Sequence, residues 1–87
     1  MPRAIGVLLV DRRTLARRCL AAVLSRRRGL TVVGDAESGT EALGMAHELR
    51  PDVAVIDPDV PDGGSRLIAV VGSLGLCAQV RPGVGPW

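Results

Sequence analysis

The chain contains no lysine, no tyrosine and no phenylalanine, and Trp87 is its only aromatic residue. Without lysine, every chemistry that rests on a lysine amine is excluded, from Schiff bases to lysine phosphate clamps. Without aromatic rings there is no platform on which bases or sugars could stack. The core must therefore be built from Val, Leu, Ile and Ala. Cysteine is scarce: Cys19 and Cys77 lie in apolar surroundings at no metal-binding spacing, with no signal peptide before them, so both are expected to be reduced core thiols. Long apolar runs are missing too. The longest uncharged stretch, 67–80, has 14 residues, short of the ~20 a helix needs to cross a bilayer, and a cytoplasmic chain without membrane contact is expected. Eleven arginines against nine acids leave a net charge of +2, too small to imply direct nucleic-acid binding.

What is present is one domain's worth of chain, 87 residues of which 47% are hydrophobic. The stretch 51–61 organises it: Pro51 and Asp52, then the β-branched run Val53, Ala54, Val55, Ile56, then Asp57, Pro58, Asp59, Val60 and Pro61. Four apolar residues bracketed by prolines fit a short parallel strand covered on both faces. A carboxylate at its end stands at the mouth of the sheet, the edge where open α/β folds place ligands and chemistry.

Upstream, the run 4–10 ends at Asp11 and gives a first strand of the same kind. From Thr14 to about Arg28, Leu15, Cys19, Leu20, Val23 and Leu24 recur at helical spacing, with Thr14 a candidate cap and Gly29 a stop. The arginines around this stripe, Arg12, Arg13, Arg17 and Arg18, are expected to form a solvated face. Residues 30–34 make a second strand. Ser38 and Glu41 have capping-box spacing and start a second helix, which Pro51 ends at Arg50. His47 on that helix has no ligand-type neighbour and is expected at the surface. Ser65 is a candidate cap for a third helix over 66–74. Strands alternating with helices imply right-handed crossovers and a parallel sheet.

Four stretches together resemble the receiver domain of bacterial response regulators in two-component signalling, of the type that precedes a helix-turn-helix output domain. They are Val7-Leu8-Leu9-Val10-Asp11, Val32-Val33-Gly34-Asp35-Ala36, Gly39-Thr40-Glu41-Ala42-Leu43, and Arg50-Pro51-Asp52-Val53 through Asp57 with Pro61 four residues on. The resemblance covers about residues 4–66 and implies a flavodoxin-like α/β fold with a parallel sheet whose first three strands lie in the order 2-1-3. Strands 1 and 3 are then neighbours, ~4.8 Å apart, and Asp11 and Asp57 converge. By the same resemblance, Asp57 is a phosphoacceptor served by a histidine kinase, and Mg²⁺ is held by Asp11, Asp57 and the main-chain carbonyl of Asp59. The chain is then a signalling domain, a phosphoprotein and not an enzyme.

The sequence departs from the family pattern in three places. Arg12 stands where the family has a second acid, which predicts weak or absent Mg²⁺ binding and a guanidinium in the cation's place. Pro58 follows Asp57 directly and removes an amide that would support a phosphoryl oxygen. The family's switch hydroxyl and lysine on strands 4 and 5 have no counterpart. The expectation is a truncated receiver-like domain over 1–74 and an irregular tail over 75–87, with room for a short strand at 76–80. Phosphorylation is expected to be impaired by truncation and by Arg12. The edge of strand 3 is then left open to a homodimer or a partner chain, unless residues 76–80 cover it. Two other readings stay open: a degenerate receiver acting as a phosphorylation-independent interaction module, and a truncated product without a role.

Overall fold

The structure is a computed structural model and describes residues 3–57, 59–61 and 69, together with the backbone of Cys77–Val80. Its elements are β1 (Ile5–Val10), α1 (Thr14–Ser25), β2 (Leu30–Ala36), α2 (Gly39–Leu49), β3 (Val53–Ile56) and β4 (Cys77–Val80). All four strands are parallel, in the order β2-β1-β3-β4. The first crossover steps one way along the sheet and the second steps back over β1, so right-handed connections put α1 and α2 on opposite faces.

Alternation along the strands sorts the core. Leu8 and Val10 of β1 stand in register with Ala54 and Ile56 of β3, and these four pack with Ala42 and Ala46 of α2, Ala36 and Val60. Val7 and Leu9 face the other way and are buried as well, so β1 is covered on both sides as its unbroken apolar run requires. In β3 only Ala54 and Ile56 are buried, while Val53 and Val55 are half-buried. The helix on their face, α1, packs on β2 and β1 and does not extend over β3.

Of the two outcomes the sequence left for the edge of β3, open or covered by residues 76–80, the structure has the second. Cys77–Val80 pairs along the edge, Val53 with Cys77 through Ile56 with Val80, and the ladder supplies the partners that an exposed edge would lack. With β4 in place, that edge of β3 does not stand open for a homodimer or a partner chain. The third helix expected over 66–74, with its Ser65 cap, lies outside the described residues apart from Ala69.

Two expectations for α1 are also corrected. The helix begins at Thr14 with Arg13 in the cap position and no side-chain cap bond, so Thr14 is not the cap. It packs through Ala16, Arg17, Leu20, Ala21 and Leu24, which leaves Leu15 74% exposed, Val23 57% exposed and Cys19 exposed. Cys19 is a surface thiol because its position turns outward on a helix whose inner face is offset by one residue. His47 is exposed, as expected.

The start of α2 follows its sequence signature in half. The Glu41 amide donates to Ser38 Oγ at 3.2 Å, whereas no return bond from the Glu41 carboxylate occurs among the described residues. At its other end Arg50 adopts φ 48° and ψ 60°, and its amide donates to the Ala46 carbonyl. Pro51 excludes the helical conformation there, and the left-handed turn closes the helix instead.

Between β1 and β2 the register slips after Val7, so that Leu8 faces Gly34 and Val33 is extra. Gly34 lies under α2: a Cβ built on it would come 2.9 Å from Leu49 Cδ1 and 3.5 Å from Met45 Sδ and Leu8 Cδ1. The nearest atom ends a side chain that is 40% exposed and can swing away. Gly34→Ala is therefore expected to lower stability by only about 1 kcal/mol, read as a shift in urea midpoint at unchanged slope.

At the opposite end of the sheet from Asp57, Asp52 ties β3 to β1. Its carboxylate accepts from the Gly6 amide at 2.7 Å and from Arg3 Nη2 at 2.6 Å, while its own amide donates to the Gly6 carbonyl. The Gly6 bond, aided by Arg3 and opposed by desolvation, holds the Asp52 carboxyl below its ordinary value of 3.8. A lowered folded pKa stabilises the fold above the unfolded value, and that contribution is lost as the pH falls through the folded value. Asp52→Asn is expected to melt below the parent chain at neutral pH. In melts across an acid series the gap should close as the pH drops below the ordinary value of 3.8.

Candidate functional site

The carboxyl ends of β1 and β3 each deliver one aspartate to the same edge. The Asp57 amide donates to the Val10 carbonyl at 2.8 Å and the Asp11 amide to the Ala36 carbonyl at 3.0 Å, so the ladder runs one step past each strand and fixes both backbones. Asp11 is 3% exposed and Asp57 4%, and they are the buried charged residues among those described.

Beyond β3 the chain turns tightly. The Val60 amide donates to the Asp57 carbonyl at 3.1 Å, and the Asp59 amide donates to Asp57 Oδ1 at 3.1 Å. Val60 is buried against α2, and the Gly39 amide donates to the Pro61 carbonyl at 2.9 Å. The turn is thus pinned to the core on one side and to the first turn of α2 on the other. Asp59 itself is exposed, and the group it turns toward Asp57 is its amide. Pro58 lies outside the described residues.

Oδ2 of Asp57 faces a cation. Arg13 Nη2 stands 3.8 Å from it, and the same guanidinium grips Asp11 in a fork, Nε to Oδ1 at 3.2 Å and Nη2 to Oδ2 at 3.1 Å. The Arg13 amide adds a bond to Asp11 Oδ1 at 2.9 Å. The hydrogen bond and charge of Asp11, then the charges of Asp57 and Asp59, hold the guanidinium above its ordinary pKa against the opposing effect of desolvation.

This corrects the sequence expectation, which gave the guanidinium role to Arg12. Arg12 is exposed, and it is Arg13 that reaches the two carboxylates. The reason is local: the chain bends at Arg12, and the Arg13 amide donates to Asp11 Oδ1 across that bend, a turn that brings the Arg13 side chain back over the Asp11 carboxylate. Arg17 was missed as well. It is not on a solvated face: its side chain is 13% exposed, with Nη1 donating to the Asp11 carbonyl at 2.8 Å and Nε to Asp35 Oδ1 at 3.1 Å. Glu37 Oε2 lies 3.9 Å from Nη1.

Known proteins share this arrangement of strands and helices. Over 82 residues the chain is 39% identical to a protein-glutamate methylesterase/protein-glutamine glutaminase of Caldanaerobacter subterraneus subsp. tengcongensis, and over 60 residues it is 45% identical to the response regulator GacA of Pseudomonas viridiflava. The response regulator domain of Thermotoga maritima CheB superposes with a TM-score of 0.78 at 30% identity, over 90% of this chain and 60% of that one. The chain is a receiver-type homologue of the response regulators. The matches cover 92% and 69% of it, yet only 22% and 28% of the two relatives' own lengths. No family model matches.

In a receiver this edge is the phosphorylation site, and Mg²⁺ is the metal its chemistry implies. The donor set here does not fit one. A hard dication takes six or more oxygens and relies on charged carboxylates for much of its binding. Here the position of the second acid is a basic residue that points away, and Asp11 already has both oxygens on Arg13. Among the described residues no group of three or more acidic, His or Cys side chains is placed to hold a metal. Among the described residues no helix of this receiver is long and apolar enough to cross a membrane.

Proposed function

We propose that the chain is a signalling receiver in which Asp57 accepts a phosphoryl group from a phosphohistidine of a kinase partner. The observation that carries this reading is the pairing of two buried carboxylates at the mouth of the sheet. Burying an acid is costly, the hydrophobic core has no need of one, and two side by side are costlier still. Groups kept in such an arrangement are candidates for chemistry.

The roles divide between the two oxygens of Asp57. Oδ1 is held by the Asp59 amide, which orients the carboxylate, and Oδ2 is the oxygen left to attack. Attack of Oδ2 on phosphorus forms the O–P bond as the N–P bond of the phosphohistidine breaks, and the imidazole nitrogen keeps the electron pair. Such a transfer depends on positioning and on countercharge, and this chain's fixed turn and Arg13 supply both at the carboxylate.

The test is incubation of the chain with a small phosphodonor. Hydroxylamine-labile phosphate is expected on the parent chain and should be absent from Asp57→Asn; a parent chain that takes up none overturns the reading. The alternative of a phosphorylation-independent interaction module draws on a separate observation, the exposed stripe Leu15, Cys19 and Val23 on α1. Self-association tracked by sedimentation, abolished by Leu15→Glu and indifferent to Asp57→Asn, would favour it.

A further inference from the structure

We propose that the Arg13 guanidinium is the resident cation of this site, occupying the place between Asp11 and Asp57 that a divalent metal would take. The inference rests on the receiver reading of the edge, and it concerns what neutralises that edge.

Two buried carboxylates on adjacent strands concentrate negative charge away from water, and such charge calls for a cation close by. The structure supplies that cation from within the chain. Arg13 binds both oxygens of Asp11 at 3.1 and 3.2 Å and reaches Asp57 Oδ2 at 3.8 Å. A fork matched to one carboxylate and a single nitrogen turned to the next is the pattern a planar guanidinium makes when it bridges two anions. The Arg13 side chain remains 52% exposed, so it covers the two acids from the solvent side, where an incoming ion would have to enter.

Charge and covalency both favour the arginine over Mg²⁺. To bind, the metal would have to displace a bidentate pair that is tethered two residues from its partner, so the competitor is always present at high effective concentration. It would then share two carboxylates with an arginine whose positive charge opposes its own. A guanidinium is also a good counter-ion for what the reaction would leave there. The fork that grips a carboxylate fits a phosphoryl group equally well, so Arg13 can follow the added charge on Asp57 with no change of ion.

The experiment uses the full chain and Mg²⁺ alone. Thermal melts of the parent chain are expected to be unchanged by millimolar Mg²⁺. Arg13→Ala should melt lower and regain stability on adding Mg²⁺, with metal affinity at least about tenfold tighter than the parent's, the scale on which a charged pair's contribution falls. Should Arg13→Ala fail to fold, Mn²⁺ titration of the parent by electron paramagnetic resonance decides alone: sub-millimolar binding overturns the proposal, and none supports it. Equal Mg²⁺ stabilisation of parent and variant likewise overturns it.

Labelling by a small phosphodonor in excess chelator separates this proposal from the one it rests on. Uptake on Asp57 without metal supports it. Uptake that needs Mg²⁺ overturns the resident-cation proposal and leaves Asp57 as acceptor. Uptake in neither condition overturns the acceptor role, while the metal titration still decides the cation.

Discussion

Leu8→Ala is expected to cost the fold about 2–5 kcal/mol. Leu8 is fully buried in the central strand, between Gly34 of β2 and Ala54 of β3, under α2. Its buried members are poor in bulk: beside Leu8 and Ile56 there are two valines, Val10 and Val60, and four alanines, Ala36, Ala42, Ala46 and Ala54, with the partly buried Leu43 and Met45 packed against them. The small buried neighbours cannot lean into the space that the leucine vacates, and how far Leu43 and Met45 fill it sets where in that range the cost falls. A domain's stability runs at about 0.05–0.15 kcal/mol per residue, which for 87 residues is roughly 4–13 kcal/mol. One truncation can thus consume much of it. Urea unfolding followed by circular dichroism checks this, with Leu15→Ala as the comparison. Leu15 is 74% exposed, and its truncation should change stability by no more than about 0.5 kcal/mol. Similar losses for the two variants would mean that the packing on β1 is not as described.

That contrast marks what the sequence could and could not disclose. Leu8 and Leu15 are the same residue type, and both lie in patterns that read as buried. The unbroken run of β1 is unambiguous, because a strand apolar on both faces must be covered on both. The helical stripe of α1 left its orientation open by about one residue, and that margin turned Leu15, Cys19 and Val23 outward. The parallel sheet was legible from the alternation of elements, whereas the order 2-1-3, and with it the meeting of Asp11 and Asp57, followed from the resemblance to receivers. The short strand at 76–80 was legible as a candidate cover for the β3 edge, whereas its register was not, because the pairing joins segments through 20 intervening residues, 57–76. At the site, the choice between Arg12 and Arg13 turned on the bend at Arg12. Aspartate side chains hydrogen-bond the backbone two residues on, and that turn signal at Asp11 could have singled out Arg13.

The second large effect is expected at Arg17. Its guanidinium joins three places: the Asp11 carbonyl at the end of β1, and Asp35 and Glu37 at the end of β2. The magnitudes decide which bond matters. Asp35 and Glu37 are more than half exposed, so their pairs with Arg17 are surface pairs worth at most about 1 kcal/mol. The bond to the Asp11 carbonyl is part-buried, and a hydrogen bond from a charged group is worth about 1.5–3 kcal/mol. Arg17→Ala should therefore cost about 2–3 kcal/mol, and Asp35→Ala no more than about 1 kcal/mol. Arg17→Met keeps an unbranched apolar side chain on α1 and so isolates the polar loss from the packing loss. Raising the salt should weaken the Asp35 effect and leave most of the Arg17 effect, since exposed charges are screened and a buried hydrogen bond is not. The same substitution releases the backbone that carries Asp11, so an Arg17→Ala chain that still folds should show faster amide exchange at Asp11 and Arg13. If Arg17→Ala proved no worse than Asp35→Ala, the arginine would be only a surface partner and the Asp11 backbone would be held by the sheet alone.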